Sequence, residues 1–168
     1  KSQDLVESID TKWSSLQPGQ EQFVFLDHLT DFPFYPALPA DFRQDLSKRY
    51  DTVLKSPGMQ EEVDAQRHYQ RVLADEIQDQ TISHRRRIAH DYVKVHEQYP
   101  ETYYGLKAGL SIVRLKGQIE NPDRFIFNSE EQKQSFIDEV ERNPLPRMND
   151  EQLQSRMQSI VNVVLISQ

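Results

Sequence analysis

The chain has 168 residues, of which 36% are apolar and 28% are charged, and its net charge is −7. It contains no cysteine, which excludes a disulfide framework, a thiolate metal site and a cysteine nucleophile. The negative charge disfavours nucleic acid as a general partner, because phosphate binding needs a surplus of lysine and arginine on one face.

The first third of the chain predicts two helices around a proline-rich segment. Residues 22–28 include a short apolar run that fits either a buried strand or a buried helical turn. Between residues 31 and 42 three prolines exclude a regular helix, and we expect an extended strap of prolines and aromatic residues there. A helix is predicted over residues 40–55. The other helix, over residues 2–17, is indicated by an apolar stripe of Leu5, Ile9, Trp13 and Leu16.

The longest predicted element is one continuous helix over residues 57–99. Ser56 can cap its N-terminus, Pro57 suits the first helical position, and Pro100 stops it. The region around residues 80–83 is either solvated on most sides or a place where the helix breaks. An apolar stripe with an eleven-residue period runs along the helix and consists of Leu73, Ile77, Thr81, His84, Ile88, Tyr92, Val95 and Tyr99.

Three more helical segments are predicted after Pro100. In the first, over residues 101–119, Gly105 and Gly109 share one face, and this spacing lets another helix approach closely. The next two begin with capping-box patterns, Ser129 with Gln132 and Asn149 with Gln152.

The C-terminal segment is unusually apolar for so polar a chain. Residues 160–166 are almost all β-branched or leucine, so the segment is either helix or strand. We expect it to be buried, in the core or against a second copy of the chain. The stripe that should be buried consists of Leu153, Met157, Ile160, Val164 and Leu165.

These elements predict an all-α fold, an elongated multi-helix bundle built around the long helix, with at most a minor sheet. We expect a single domain over residues 1–168. No apolar run reaches 18 residues, so no membrane-spanning helix is predicted. The cytoplasm is favoured over the periplasm or secretion. Because the first residue is Lys1 and not methionine, we expect that a signal peptide, an anchor or an upstream domain preceded it.

The histidines do not predict a metal site. His84, His90 and His96 are six residues apart, which places successive rings on different faces of a helix, whereas ligands normally lie three or four residues apart. No Glu-x-x-His pair, glycine-rich phosphate loop or nucleophile elbow is present. We therefore predict neither a catalytic residue, a metal nor a cofactor.

The residues that best fit a contact role are one basic cluster and part of the strap. The cluster is Arg85, Arg86 and Arg87, which spread over about 200° of a helix and have acidic neighbours at helical spacing. In the strap, Phe34 and Tyr35 lie beside a Pro-x-x-Pro sequence.

Three functions fit this sequence. The favoured one is a protein-protein interaction module without catalytic activity, such as an adaptor, a regulator or an assembly subunit, which self-associates through the C-terminal segment. A metal-dependent hydrolase is an alternative, because its site can be assembled from dispersed histidines, aspartates and glutamates without any local spacing. A regulator that contacts nucleic acid through Arg85–Arg87 is the third.

Overall fold

The computed structural model describes residues 1–166, and in that range the chain forms eight α-helices and no strand. The all-α prediction is confirmed. The ambiguous run at 22–28 is helical, and the C-terminal segment is helical as far as Val164. Within the same range no helix combines the length and the apolar content that crossing a membrane requires. The helices are α1 (Ser2–Ser15), α2 (Gln20–Thr30), α3 (Ala40–Leu54), α4 (Gln60–Glu76), α5 (Ile82–Gln98), α6 (Tyr103–Ile119), α7 (Glu130–Arg142) and α8 (Asp150–Val164).

The chain divides into two compact units. The first comprises Lys1–Asp64 with Ser155–Gln168, and the second comprises Ala65–Gln154. Both α4 and α8 contribute residues to each unit. The expectation of a single domain stays a prediction.

The core of the first unit is built around α2. All four residues from Phe23 to Leu26 are buried, so this helix has apolar contacts on every side rather than along one stripe. Ile9 of α1 and Leu46 of α3 are buried as well. The apolar run that made the secondary structure ambiguous therefore reflects burial of the central turn of one short helix.

The strap is more compact than predicted. It is not extended: residues 31–34 form turns, and a 3₁₀ turn follows over Tyr35–Ala37. Backbone hydrogen bonds from Tyr35 to Phe32 and from Ala37 to Phe34 close these turns. Pro36 fits the first turn of a 3₁₀ helix because it lacks only an amide that would have no partner there. The segment ends early, since Ala40 already begins α3.

The prediction of one continuous helix over residues 57–99 is wrong. α4 begins at Gln60 and ends at Glu76, and α5 begins only at Ile82. The interruption has a local cause, because Thr81 is the N-cap of α5 and its hydroxyl accepts the amide hydrogen of His84. The interruption covers residues 77–81 and overlaps the 80–83 region where the sequence left a break open. The expected elongation rested on this helix and loses its basis with it.

α5 and α6 form the tightest helix pair of the second unit, as the glycine spacing predicts. A Cβ at Gly105 would overlap the backbone carbonyl oxygen of Tyr99, and one at Gly109 would lie 2.9 Å from Nδ1 of His96. Both glycines therefore face the C-terminal end of α5. The absence of a side chain at these positions is what allows the two helices to approach so closely.

The predicted burial of the C-terminal stripe is confirmed only in part. Leu153 and Val164 are buried, and Met157 and Ile160 are half-buried. Leu165 is 44% exposed, because α8 ends at Val164 and the next residue no longer follows the helical stripe. The predicted apolar tail of residues 160–166 falls entirely within the described part of the chain, which excludes residues 167 and 168.

Candidate functional site

The structure separates the three arginines of the predicted basic cluster. Arg86 is only 5% exposed, and its Nη2 donates a 2.7 Å hydrogen bond to the carbonyl oxygen of Asn143 at the end of α7. Its Nη1 lies 3.4 Å from the carboxylate of Glu139. Arg86 thus joins α5 to α7 and is withdrawn from the surface where the sequence placed it, because it lies on the buried side of α5.

Arg85 and Arg87 help to close the corner between α4 and α5. Arg85 donates a hydrogen bond to the side chain of Gln80. Arg87 donates to Nδ1 of His84 at 3.0 Å, so the other ring nitrogen carries the proton and donates to the carbonyl oxygen of Asp75 at 2.7 Å. His84 therefore joins α5 to the end of α4. The contact role of Arg85 and Arg87 stays a prediction.

The two predicted strap residues belong to the first unit. Phe34 is half-buried, with its ring centroid 5.0 Å from that of Phe32, and Tyr35 is half-buried at the start of the 3₁₀ turn. Leu38, by contrast, is buried. The strap therefore offers partly exposed rings rather than a continuous apolar surface.

Two further histidines of the second unit, His68 and His96, make structural contacts. His96 Nδ1 lies 2.8 Å from the carbonyl oxygen of Gly105, and the ring of His68 meets that of Tyr99 edge-on at 5.5 Å. Across residues 1–166 no group of three or more histidine, aspartate or glutamate side chains is arranged to hold a metal ion.

The most exposed apolar side chains of the second unit include one on α4 and one directly after it. Leu73 of α4 is 41% exposed, and Ile77, the first residue of the turn after Glu76, is 70% exposed. Tyr69, Leu73 and Ile77 are spaced by four residues, so they lie along one side of α4 and the turn that follows it. The break after Glu76 accounts for their exposure, because it separates the two halves of the predicted stripe. The second half lies on α5 and includes the buried Ile88 and Tyr92, whereas Leu73 and Ile77 of the first half are exposed.

α6 runs beside this row and contributes a cation at each end of it. Nζ of Lys107 lies 5.7 Å from the ring centroid of Tyr69, and Nη2 of Arg114 lies 3.0 Å from Oε1 of Glu76. Both pairs are seven residues apart on their own helix, so α4 and α6 run parallel. We call this surface the α4–α6 seam; it consists of Tyr69, Leu73, Ile77, Lys107, Leu110 and Arg114.

The side chain of Tyr69 packs against two other tyrosines, which form the base of the seam. The ring centroid of Tyr69 lies 5.5 Å from that of Tyr92 and 5.3 Å from that of Tyr104. The hydroxyl of Tyr92 donates a 2.8 Å hydrogen bond to Oε1 of Glu76. Burial, and then this hydrogen bond to a carboxylate, raise the pKa of Tyr92 well above its usual range. The seam therefore lies on a packed and hydrogen-bonded base.

Two open grooves of the second unit mix charges of both signs. One has a volume of about 190 Å³ and is lined by Arg71 and Lys94 together with Asp75 and Asp91. The other, of about 450 Å³, is lined by Lys116 and Arg147 together with Glu120. The first groove has two charges of each sign, and in the second Lys116 is paired with Glu120 at 3.4 Å, so neither gathers a cluster of like charges.

Sequence reasoning identified Leu73 and Ile77 as a stripe but missed Tyr69, Lys107 and Arg114. The available signal was the spacing of seven between Lys107 and Arg114, which places two cations on one face of a mostly apolar helix. The partner of that face, however, is set by tertiary packing.

No protein-family model matches the chain, and no curated protein and no solved structure matches it either.

Proposed function

We propose that the protein is a protein-binding module without catalytic activity, and that it binds an amphipathic helix of its partner on the α4–α6 seam. The observation that carries this proposal is the exposed row of Leu73 and Ile77 beside the half-buried Tyr69. Exposed apolar side chains that form a continuous row are typical of interaction surfaces, whereas scattered ones need no explanation.

The energy available at this row supports a real but modest affinity. Complete burial of a leucine or isoleucine side chain is worth roughly 1.5 to 3 kcal/mol. Covering the exposed parts of Leu73 and Ile77 would thus contribute about 2 to 3 kcal/mol. Because association itself is costly, this gain serves as an anchor that the surrounding contacts must supplement.

The shape of the seam favours a helical partner over an extended one. Residues at i, i+4 and i+8 form a nearly straight apolar row, and α6 provides a second wall parallel to α4. A helix that presents apolar residues at the same spacing can lie along this row with its polar side facing water, which is a recurrent mode of peptide recognition.

A peptide titration tests the proposal. The probe is a synthetic helix-forming peptide of about 16 residues with leucines at i, i+4 and i+8 and glutamines on both flanks of that face. Titrated into ¹⁵N-labelled protein, it should perturb amide signals of α4 and α6, centred on Leu73 and Ile77. The double substitution Leu73→Asp/Ile77→Asp should abolish these perturbations.

The matched control is Ile126→Asp. Ile126 is fully exposed but lies in a loop apart from any apolar row. This variant should bind the peptide as the wild type does. Absence of perturbations with the wild-type protein, or perturbations that persist in the Leu73→Asp/Ile77→Asp variant, would overturn the proposal.

A further inference from the structure

We infer that the partner helix carries two acidic side chains about seven residues apart at the edge of its apolar face, because Lys107 and Arg114 stand at the two ends of the α4–α6 seam. This inference rests on the proposed function and specifies the chemistry of the partner.

Lys107 is held in place without a carboxylate partner. Its Nζ lies 4.9 Å from the ring centroid of Tyr104, 5.1 Å from that of Tyr103 and 5.7 Å from that of Tyr69. Within residues 1–166 no acidic side chain lies within ion-pair distance of it. Cation–π contacts with three rings restrict the ammonium group and leave its hydrogen-bond donors available to an incoming oxygen.

Arg114 keeps most of its donors for another carboxylate. Nη2 bonds both oxygens of Glu76, at 3.0 and 3.2 Å, while Nη1 and Nε have no partner within the described range. The side chain of Arg114 is 46% exposed, whereas that of Glu76 is only 19% exposed. An approaching group therefore meets the guanidinium before it meets the carboxylate. Guanidinium groups bind carboxylates through two donors at once, which adds geometric selectivity.

The spacing of the two cations sets the spacing of the acidic groups. Lys107 and Arg114 are separated by seven residues of one helix, which corresponds to about 10 Å along its axis. A partner helix that lies along the seam presents two carboxylates at the same separation when they too are seven residues apart. Apolar positions between them then fall over Leu73 and Leu110.

The preference for an acidic partner comes from the seam and not from the net charge of the chain. At −7 the protein as a whole repels an acidic peptide, and this repulsion acts mainly on the rate of encounter. The contacts at the seam act at short range and so determine the preference among peptides that differ only at two positions. Charge substitutions on the protein therefore test the inference better than added salt, which screens both effects.

Three peptides of one design separate the alternatives. They share the leucine face described above and differ at two edge positions seven residues apart, which are glutamine, glutamate or lysine. Measured by fluorescence anisotropy, the glutamate peptide should bind about tenfold more tightly than the glutamine peptide, the sum of two exposed ion pairs. The lysine peptide should bind more weakly than either.

Protein variants assign the preference to the two cations. Lys107→Gln/Arg114→Gln should bind the glutamate and glutamine peptides with equal affinity. Lys94→Gln is the control, since Lys94 is a highly exposed cation of α5 outside the seam, and it should keep the tenfold preference. Amide spectra of each variant establish that it is folded.

The outcomes distinguish this inference from the proposed function. If all three peptides bind equally and binding needs Leu73, the acidic partner is wrong while the binding surface stands. A preference for the lysine peptide, or a preference that survives in Lys107→Gln/Arg114→Gln, also overturns the inference. If no peptide binds the wild-type protein, the proposed function fails together with it.

Discussion

The hydroxyl of Tyr92 lies 2.8 Å from Oε1 of Glu76, and this single bond connects the buried face of α5 to the last residue of α4. The same carboxylate accepts a hydrogen bond from Nη2 of Arg114, which belongs to α6. Glu76 is therefore the residue at which three helices of the second unit are joined by polar contacts. Because Glu76 is the last residue of α4, these contacts attach the end of that helix to α5 and α6.

Replacing Tyr92 by phenylalanine tests the strength of this junction. The variant Tyr92→Phe keeps the ring and removes only the hydrogen bond to a carboxylate, which should lower the free energy of unfolding by about 1.5 to 3 kcal/mol. Urea denaturation measures the change. Tyr69→Phe is the matched control, because the hydroxyl of Tyr69 has no hydrogen-bond partner within residues 1–166, and it should change stability by less than about 0.5 kcal/mol. Equal decreases in the free energy of unfolding for the two variants would show that the hydrogen bond from Tyr92 to Glu76 does not stabilise the protein.

The raised pKa of Tyr92 predicts a specific weakness in alkaline solution. In the unfolded chain a tyrosine ionises near pH 10. In the folded protein burial and the bond to Glu76 keep Tyr92 protonated to higher pH. Its contribution to stability is thus complete below about pH 10 and falls as the pH rises above that value, because the unfolded state then gains from ionisation. Unfolding experiments between pH 9 and 11.5 should show a smaller pH-dependent loss for Tyr92→Phe than for the wild type. If the stability of the two proteins falls equally with rising pH, the prediction is wrong.

Two glycines of α6 should respond in opposite directions to substitution by alanine. At Gly105 the added methyl group would overlap the carbonyl oxygen of Tyr99, so Gly105→Ala should destabilise the protein by more than about 3 kcal/mol. At Gly117 the space is open and the residue is helical, so Gly117→Ala should stabilise it by about 0.5 to 1 kcal/mol. Thermal unfolding of both variants checks the pair. A mild effect at Gly105 would mean that the two helices can move apart at low cost.

We expect self-association through the C-terminal segment. Val163 and Leu165 are 42% and 44% exposed, and Leu165 also borders a groove of about 520 Å³ along α1. Light scattering over a hundredfold range of concentration should show a mass that rises above that of the monomer. Val163→Ser/Leu165→Ser should remove the rise, while Ile126→Ser, at a fully exposed site elsewhere, should not. If the wild type shows the mass of a monomer at every concentration, the prediction of self-association is wrong.

Local signals in the sequence predicted local structure well. The hydroxyl of Ser129 accepts the amide of Gln132, and the side chain of Asn149 accepts that of Gln152, as both capping patterns indicated. Such bonds lie within four residues, so the sequence contains both partners side by side.

Features that depend on distant residues were not predictable in the same way. The apolar stripe continues across residues 77–81 with regular spacing, so it did not reveal the break, although the Thr81 cap is itself a local signal. The bond from His84 to Asp75, by contrast, forms only because the two helices meet at this corner. The burial of Arg86 depends on Asn143, 57 positions later. The seam likewise exists because α6 packs parallel to α4, and neither helix reveals its neighbour from its own sequence.

The close approach at Gly105 also bears on the order in which the protein folds. Only four residues separate α5 from α6, so the contacts between them close a very short loop and cost little chain entropy. Contacts between near neighbours form fast, and a pair of helices with this connection is well suited to act as the folding nucleus of the second unit. On a ribosome the pair could form before α7 is synthesised. α7, which has no buried residue, would then dock late onto a surface that already exists.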